Sequence, residues 1–218
     1  MSTRRLVVCF GGTFDPVHLG HVDAMDDILA KTACDELRLI PCRVSPHKTR
    51  PSATSEQRCA MLELASTGRA RVCVDRREVA RPGPSFTVDT LAGLRAELGP
   101  EVALAWVIGM DALGALDRWS RWEALPGLAH LLVLDRPGAD LPAAGPVADL
   151  LAARRLASAA ALRDAAAGGV WFAHQRPRAV SATELRRRLA AGEDTGGLLP
   201  AEVWAYISSH GLYGVVQV

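Results

Sequence analysis

The sequence predicts an α/β fold in which helices cover both faces of a doubly wound parallel sheet. Strand-like and helix-like segments alternate from the amino terminus onward. The first predicted strand, 6–10 (LVVCF), is a continuous apolar run, which is typical of a strand buried on both faces. Residues with distinctive chemistry follow the predicted strands, and ligands in such sheets bind beyond the carboxyl ends of the strands.

The further elements follow in order from apolar spacing and from turn residues. Strands are predicted at 36–42, 70–74, 102–108, 131–134 and 170–173. Helices are predicted at 22–33, 56–65, 87–98, 119–125, 182–191 and 201–209. Because each strand is separated from the next by a helix or a long connection, the strands are expected to run parallel in a Rossmann-like sheet.

The length of 218 residues suits one domain spanning 1–218. Residues 136–169 form an alanine-rich insertion, interpreted as a loop followed by a surface helix from Val147 to Ala167. A disordered linker is the alternative, because the segment has few large apolar anchors. Residues 180–218 are predicted to form a small helical part at the carboxyl end of the chain.

Composition excludes several classes of protein. With 25 basic and 24 acidic side chains the net charge is +1, which offers no general attraction to nucleic acid or membrane. The five cysteines are scattered without a C-x-x-C pair, so neither a zinc site nor a disulfide framework is indicated. The amino terminus runs directly into the first strand, which predicts a cytoplasmic protein without a signal peptide.

The segment 11–21 (GGTFDPVHLGH) lies between the first strand and the first helix. Gly11 and Gly12 allow a sharp turn and a close approach to a ligand. His18 and His21 lie at the helix start, where their rings can face one point and free N–H groups favour an anion. The pattern therefore predicts a polyphosphate site. A simple turn, solvent-facing histidines or two metal ligands are the alternatives, although no third ligand has a recognisable spacing.

Two more segments follow predicted strands or precede a helix. In 45–48 (SPHK), Lys48 can reach a β- or γ-phosphate as a point charge; a solvated basic loop is the alternative. In 84–90 (PSFTVDT), Ser85, Thr87 and Asp89 are expected to cap a helix whose N–H groups can also receive a carboxylate.

Aromatic and hydroxyl-bearing segments complete the candidate site. Asp111, after the strand ending in Gly109, suits hydrogen bonds to ribose hydroxyls. Trp119 lies in a polar context that favours stacking on a planar ring, whereas Trp106 and Trp122 are expected to pack inside the protein. Ser181 to Glu184 has the pattern of a capping box, and the same helix start places two hydroxyls and Arg186 where a phosphate could bind.

In their order and spacing, these segments resemble the bacterial nicotinate-nucleotide adenylyltransferase family, within the nucleotidyltransferase superfamily that carries an H-x-G-H motif. The resemblance runs through GGTFDPVHLGH, SPHK, PSFTVDT, VIGMDAL with its downstream RW, VSATELRRRL and LLPAEVWAYISSHGLY. Residues 136–169 contribute nothing to it. Ala182 stands where the family often has serine, so one possible hydroxyl contact is lost there.

The resemblance implies transfer of an adenylyl group from ATP to nicotinic acid mononucleotide, giving deamido-NAD and pyrophosphate. It assigns catalytic roles to His18, His21, Lys48 and Arg186. It assigns ATP contacts to Gly11, Gly12, Thr13, Phe14, Gly109, Asp111, Ser181 and Thr183. Thr87 and Trp119 would receive the nicotinate ring, and Mg²⁺ would travel with the ATP phosphates rather than in a protein cage.

Other functions stay open on the sequence alone. The acceptor could be nicotinamide mononucleotide, phosphopantetheine or another phosphate ester, since no cation is visibly assigned to a carboxylate. A non-catalytic module that senses ATP or NAD would keep the phosphate site and lose catalytic groups. The sequence leaves open whether the chain forms a homo-oligomer.

Overall fold

The parallel sheet predicted from the sequence is present in the computed structural model, which describes residues 3–45, 50–135, 141–174 and 178–216. Its strands are Leu6–Gly12 (β1), Glu36–Pro41 (β2), Val72–Val74 (β3), Ala103–Gly109 (β4), His130–Asp135 (β5) and Val170–His174 (β6). They pair in parallel in the order β3-β2-β1-β4-β5-β6. The direction of winding reverses between β1 and β4, and ligands bind at this reversal in open α/β sheets.

The helices predicted at 22–33, 56–65, 87–98, 182–191 and 201–209 are present with small shifts at their ends, whereas 119–125 does not form one helix. The helices of the described residues are numbered in chain order. They are Leu19–Thr32 (α1), Ser55–Ser66 (α2), Arg77–Ala80 (α3), Thr87–Leu98 (α4), Met110–Leu113 (α5), Leu125–Leu128 (α6), Pro146–Arg154 (α7), Ala182–Ala190 (α8) and Ala201–Ser209 (α9). Short 3-10 turns lie at Leu116–Arg118, Trp122–Ala124, Ala160–Arg163 and Leu212–Gly214. None of the helices in the described ranges has the length and continuous apolar character that a bilayer-spanning segment needs.

Each face of the sheet has its own apolar core, because alternate side chains of the strands point to opposite faces. One core combines Leu6 and Val8 of β1 with side chains of α1, α2, α8 and α9. The other combines Val7 and Cys9 with side chains of α4, α5, α6 and α7. Helices therefore cover both faces, as predicted, and β1 is buried on both.

The helix predicted from Val147 to Ala167 is wrong over its second half. Helix α7 ends at Arg154, and Arg155 forms a parallel bridge with Val170 of the edge strand β6. Leu156 donates its N–H to the Val170 carbonyl at 2.8 Å and packs against the first core. An alanine-rich helix would bury little apolar area, whereas the bend satisfies the backbone at the sheet edge and buries Leu162 completely.

Arginine and histidine side chains close the amino edge of the sheet. The Arg95 guanidinium donates to the carbonyls of Gly99, Val102, Leu128 and Ala166, which precede β4, β5 and β6. The buried His130 ring binds the Ala165 carbonyl through Nε2 and accepts the Gly169 N–H at Nδ1, each at 2.9 Å. These side chains hold together connections that are distant in sequence.

Candidate active site

Two glycines end β1 at the reversal point of the sheet. Their φ angles are not left-handed, so a tight turn does not explain them. A Cβ on Gly11 would lie 2.4 Å from the Trp106 ring, and one on Gly12 would lie 2.8 Å from the Phe14 ring. The lack of a side chain at these two positions therefore makes room for the two aromatic rings. Trp106 is buried, as predicted.

His18 and His21 lie together at the start of α1. His18 is the N-cap residue, and the two imidazole rings stack with centroids 3.8 Å apart and 28° between their planes. The His18 N–H donates to His21 Nδ1 at 3.3 Å, so the neutral His21 ring carries its proton on Nε2. The Phe14 ring meets His21 edge-on at 5.0 Å and limits its rotation. Two pre-oriented imidazoles thus occupy the mouth of the β1–α1 loop.

The first turn of α1 is less open than the sequence suggested. The Leu19 N–H donates to the Leu198 carbonyl at 2.9 Å, and the His21 N–H donates to the His18 carbonyl at 2.8 Å. The sequence predicted free N–H donors in this turn. That prediction is wrong for Leu19 and His21, because both N–H groups already donate within the protein. The stacked imidazole rings of His18 and His21 are candidate anion-binding groups at this helix start.

Asp15 anchors the loop between β1 and α1. Its carboxylate is almost fully buried and accepts the N–H groups of Ser52 and Ala53 at 2.8 and 3.0 Å. It also accepts the Tyr213 hydroxyl at 2.9 Å. Burial and the Asp15 charge raise the pKa of Tyr213, so the phenol stays protonated and donates. The carboxylate is thereby held by two other segments of the chain.

Phe14 has a left-handed backbone, with φ of 50°, which is rare for a large side chain. Such a conformation costs about 1–3 kcal/mol and persists only where neighbouring structure enforces it. The loop around Asp15 and the packing of the Phe14 ring against Phe10 and His21 provide that enforcement. In this conformation the Phe14 side chain is buried, with 1% of its surface exposed.

Helix α8 brings Arg186 to the same loop. Arg186 Nη1 donates to the Asp15 carbonyl at 2.6 Å and lies 3.7 Å from the Asp15 carboxylate. Its Nη2 donates to the Thr183 hydroxyl at 3.4 Å. Arg186 is only partly buried, so its guanidinium remains at the protein surface. Its bond to Asp15 connects it to the loop that carries the two histidines. The structure thus places Arg186 against the loop that leads from Phe14 to His18 and His21.

The capping box predicted over residues 181–184 forms only in part. Ser181 is the N-cap of α8 and accepts the Glu184 N–H at 3.2 Å. The Glu184 carboxylate, however, pairs with Arg187 and Arg188 at 2.9 and 2.8 Å. Two guanidinium groups outcompete the backbone N–H that the box would use, and they lower the pKa of Glu184 to about 2.

Gly109 and Asp111 lie on the strand next to β1. Gly109 ends β4 and is the N-cap of the short helix α5, and Asp111 is an exposed residue of its first turn. Since β4 pairs with β1, both residues lie at the same edge of the sheet as the histidines. Gly109 and Asp111, the residues predicted to contact ribose, therefore follow the strand that pairs with β1.

The predicted capping of α4 by side chains is wrong. Thr87 is its first residue, and the N-cap is Phe86, whose side chain offers no acceptor. Ser85 points elsewhere: its Oγ accepts the Arg43 N–H at 3.0 Å. Asp89 pairs with Arg121 instead of capping. The first turn of α4 accordingly has no side-chain cap within the described residues, which leaves its positive end suited to a ligand carboxylate.

Trp119 lies outside any helix, contrary to the helix predicted at 119–125. It has an extended backbone after the turn Leu116–Arg118, and Arg121 has a left-handed φ of 51° that interrupts helical geometry. Trp119 and Trp122 are both partly buried against the second core. The Arg121–Asp89 ion pair connects this segment to the first turn of α4. Thr87 and Trp119 therefore belong to connected elements.

Lys48 lies outside the described residues, so its position is not given by the structure. The described ends of its loop are tied to neighbouring elements: the Ser85 N–H donates to the Val44 carbonyl at 2.9 Å. Within the described ranges, no group of three or more histidine, cysteine or acidic side chains is arranged to hold a metal ion.

No sequence pattern predicted a role for the buried Asp15 and Arg58 or for the half-buried Tyr213. Asp15 lies inside the GGTFDPVHLGH motif and Tyr213 inside the closing GLY segment, so their position in recognised motifs was the available signal. Arg58 lies on a helix with no local pattern to distinguish it. Their contacts come from distant segments, which local patterns do not report.

The chain is similar over most of its length to proteins named as nucleotidyltransferases. The cytidylyltransferase-like family model matches residues 9–188. A Cellvibrio japonicus protein named probable nicotinate-nucleotide adenylyltransferase is 44% identical over 210 residues, covering 96% of this chain and 99% of the relative. An Aeromonas salmonicida protein of the same name is 47% identical over 203 residues, covering 93% of this chain and 94% of the relative.

Solved structures share the fold at much lower identity. The Plasmodium falciparum nicotinic acid mononucleotide adenylyltransferase complexed with NaAD has a TM-score of 0.74 and 16% identity, and covers 98% of this chain. A Vibrio parahaemolyticus protein described as a putative nicotinate-nucleotide adenylyltransferase has a TM-score of 0.65 and 16% identity. At this identity the similarity demonstrates a common fold, with the same layering of sheet and helices.

Proposed function

The chain belongs to the nicotinate-nucleotide adenylyltransferase family, and we propose that the carboxyl edge of its sheet performs this family's reaction. It transfers the adenylyl group of ATP to nicotinic acid mononucleotide, forming deamido-NAD and pyrophosphate in NAD biosynthesis. The observation that carries this conclusion is 44% identity with a relative of that name along 99% of the relative's length. Because ATP is a cytoplasmic substrate, a cytoplasmic location is part of the proposal.

In this reaction a phosphate oxygen of the mononucleotide attacks the α-phosphorus of ATP in line. The bond from that phosphorus to the bridging oxygen breaks, and its electron pair leaves with pyrophosphate. Positioning and charge stabilisation carry such a step, without a covalent enzyme intermediate. We assign the α-phosphoryl group to His18 and His21, whose stacked rings can donate to charge that develops there.

The β- and γ-phosphates are assigned to Lys48 and Arg186. Arg186 supports this role because it is fixed to the Asp15 carbonyl while staying partly exposed. Further ATP contacts are proposed for Gly11, Gly12, Thr13, Phe14, Ser181 and Thr183. Mg²⁺ would bind to the ATP phosphates and not to Asp15, because the Asp15 carboxylate already accepts three hydrogen bonds. When bound, it supplies charge neutralisation to the departing pyrophosphate.

The nucleoside ends of the substrates are assigned to the neighbouring elements. Gly109 and Asp111 would contact the ATP ribose at the end of β4. The nicotinate ring would stack on Trp119, and its carboxylate would accept N–H groups around Thr87. The uncapped positive end of α4 favours an anion over a neutral amide, which supports the acid as substrate.

The test is to mix the purified chain with ATP, Mg²⁺ and nicotinic acid mononucleotide and to measure pyrophosphate release and deamido-NAD. We expect both products in equal amounts. ATP binding without either product would indicate a nucleotide-sensing protein instead. A parallel measurement of kcat/KM for the acid and the amide mononucleotide tests acceptor choice, and equal values would refute acid specificity.

A further inference from the structure

Arg58 is a buried cation at the back of the candidate phosphate site. It lies on α2 and is 1% exposed, although a guanidinium is seldom buried without a carboxylate partner. Within the described residues it contacts only neutral acceptors, and its Nε–H has no acceptor. Its charge is therefore not compensated by an ion pair in that part of the chain, and it needs another explanation.

The guanidinium joins the loops that follow two adjacent strands. Nη1 donates to the Thr13 carbonyl, just after β1, at 2.8 Å. Nη2 lies 3.1 Å from the Ser55 hydroxyl and 3.5 Å from the Arg43 carbonyl, just after β2. One loop leads to His18, and the other leads toward Lys48. A planar fork can hold both carbonyls at once, which a lysine ammonium cannot do in the same geometry.

The bond to Thr13 also changes the peptide group that Thr13 shares with Phe14. A carbonyl that accepts from a cation becomes more polarised, which strengthens its own amide N–H as a donor. That N–H belongs to Phe14, the residue with the left-handed φ of 50°. Within the described residues it donates to no other group. Arg58 thus acts on a donor in the loop assigned to ATP.

We propose that Arg58 is a positioning residue for the ATP phosphates, which holds the two phosphate loops at a fixed separation and strengthens the Phe14 N–H as an anion donor. This inference rests on the proposed function. Arg58 does not itself touch the substrate, because the Thr13 backbone lies between them. Its buried charge is balanced when the polyphosphate binds in front of that backbone.

Arg95 provides a matched control for a structural role. It also uses its guanidinium to hold backbone carbonyls, but at the opposite, amino edge of the sheet. The experiment compares Arg58→Lys with Arg95→Lys. It measures the Kd for inorganic pyrophosphate, the KM for each substrate and the urea midpoint of unfolding.

For Arg58→Lys we expect the pyrophosphate Kd and the KM for ATP to rise about tenfold, the scale of a lost charged hydrogen bond. The KM for the mononucleotide should change less than about twofold. Arg95→Lys should lower the urea midpoint and leave the pyrophosphate Kd and both KM values within about twofold of the wild type. An unchanged pyrophosphate Kd in Arg58→Lys, or equal changes for both substrates, would overturn the proposal.

A less disruptive substitution tests the proposal if Arg58→Lys does not fold. Ser55→Ala removes one acceptor of Nη2 and leaves the guanidinium in place. We expect a rise of about threefold in the pyrophosphate Kd, and no rise would overturn the proposal. Absence of deamido-NAD from the wild-type chain would instead refute the proposed function, since pyrophosphate binding is measured independently of turnover.

Discussion

The two edges of the sheet carry the same kinds of side chain in different roles. At the amino edge, Arg95 and His130 bind backbone groups that precede β4, β5 and β6. At the carboxyl edge, Arg186 and the paired His18 and His21 lie around one loop and remain partly accessible as a group. Arginine and histidine are thus structural or functional according to the edge on which they lie.

The difference follows from what the backbone offers at each edge. Strands at the amino edge begin after helix carboxyl ends, where carbonyl groups need donors. Strands at the carboxyl edge lead into helix amino ends, which attract anions. A cation at the amino edge therefore finds acceptors within the protein. A cation at the carboxyl edge is placed where a phosphate is the natural partner.

The largest expected effect is a contrast between two histidines, one at each edge of the sheet. His21→Ala should lower kcat about a hundredfold or more, the scale of losing one donor to the transition state, with a nearly unchanged melting temperature. His130→Asn should do the reverse, because its ring binds backbone groups of Ala165 and Gly169 at the amino edge. Steady-state kinetics and thermal unfolding of both variants provide the check, and a nearly normal kcat for His21→Ala would remove its assignment.

The next effect concerns Arg186 and its neighbour on α8. Arg186→Lys keeps the charge but loses the bonds to the Asp15 carbonyl and Thr183, so the KM for ATP should rise about tenfold. Arg187→Lys is the control, since Arg187 pairs only with Glu184 and Glu193 on the exposed surface within the described chain. Equal KM values for the two variants would argue against a phosphate role for Arg186.

A smaller effect distinguishes two tryptophans at the carboxyl edge. Trp119→Ala should raise the KM for nicotinic acid mononucleotide about three- to tenfold, because ring stacking contributes about 0.5–1.5 kcal/mol beyond buried area. Trp122→Ala should mainly lower the free energy of unfolding, because both rings pack against the second core but only Trp119 is assigned to the nicotinate ring. Titrations of the mononucleotide at saturating ATP measure the first effect. If Trp122→Ala gives the larger rise in KM, the two assignments must be exchanged.

The smallest effect is the pH dependence of stability at the amino edge. Burial lowers the pKa of His130 below its ordinary value of 6.5. The folded state therefore prefers the neutral ring, and the stability that this ring contributes is full above pH 6.5 and is lost as the pH falls toward the lowered pKa. Urea midpoints measured between about pH 8 and about pH 5 should fall less for His130→Asn than for the wild type. An identical slope for both proteins would contradict this origin.

Local sequence patterns predicted most of the framework of the carboxyl edge. Helix α4 begins at Thr87 and ends at Leu98, as the apolar spacing indicated. The GGTFDPVHLGH segment lies after β1, and Asp111 follows β4, which pairs with β1. These predictions succeeded because strand and helix periodicities are properties of neighbouring residues.

Predictions that depended on competing partners failed. Ser85 does not cap α4, because the N-cap position falls on Phe86 and the Ser85 hydroxyl accepts the Arg43 N–H. Position 11 needs a glycine because the ring of Trp106, on the neighbouring strand β4, lies where a Cβ would be. A turn is not the reason. In each case the sequence correctly marked a special position, and the partner came from a segment that no local pattern identifies.

By itself, the sequence determined the alternation of strands and helices, the placement of chemistry after the strands and the family to which the chain belongs. Only the tertiary structure decided how the site is supported. Tyr213 reaches Asp15 across 198 residues, and Arg58 reaches Thr13 across 45 residues. Apolar periodicity is written in adjacent residues, whereas a buried hydrogen bond between distant segments exists only once the core has packed and water has been excluded.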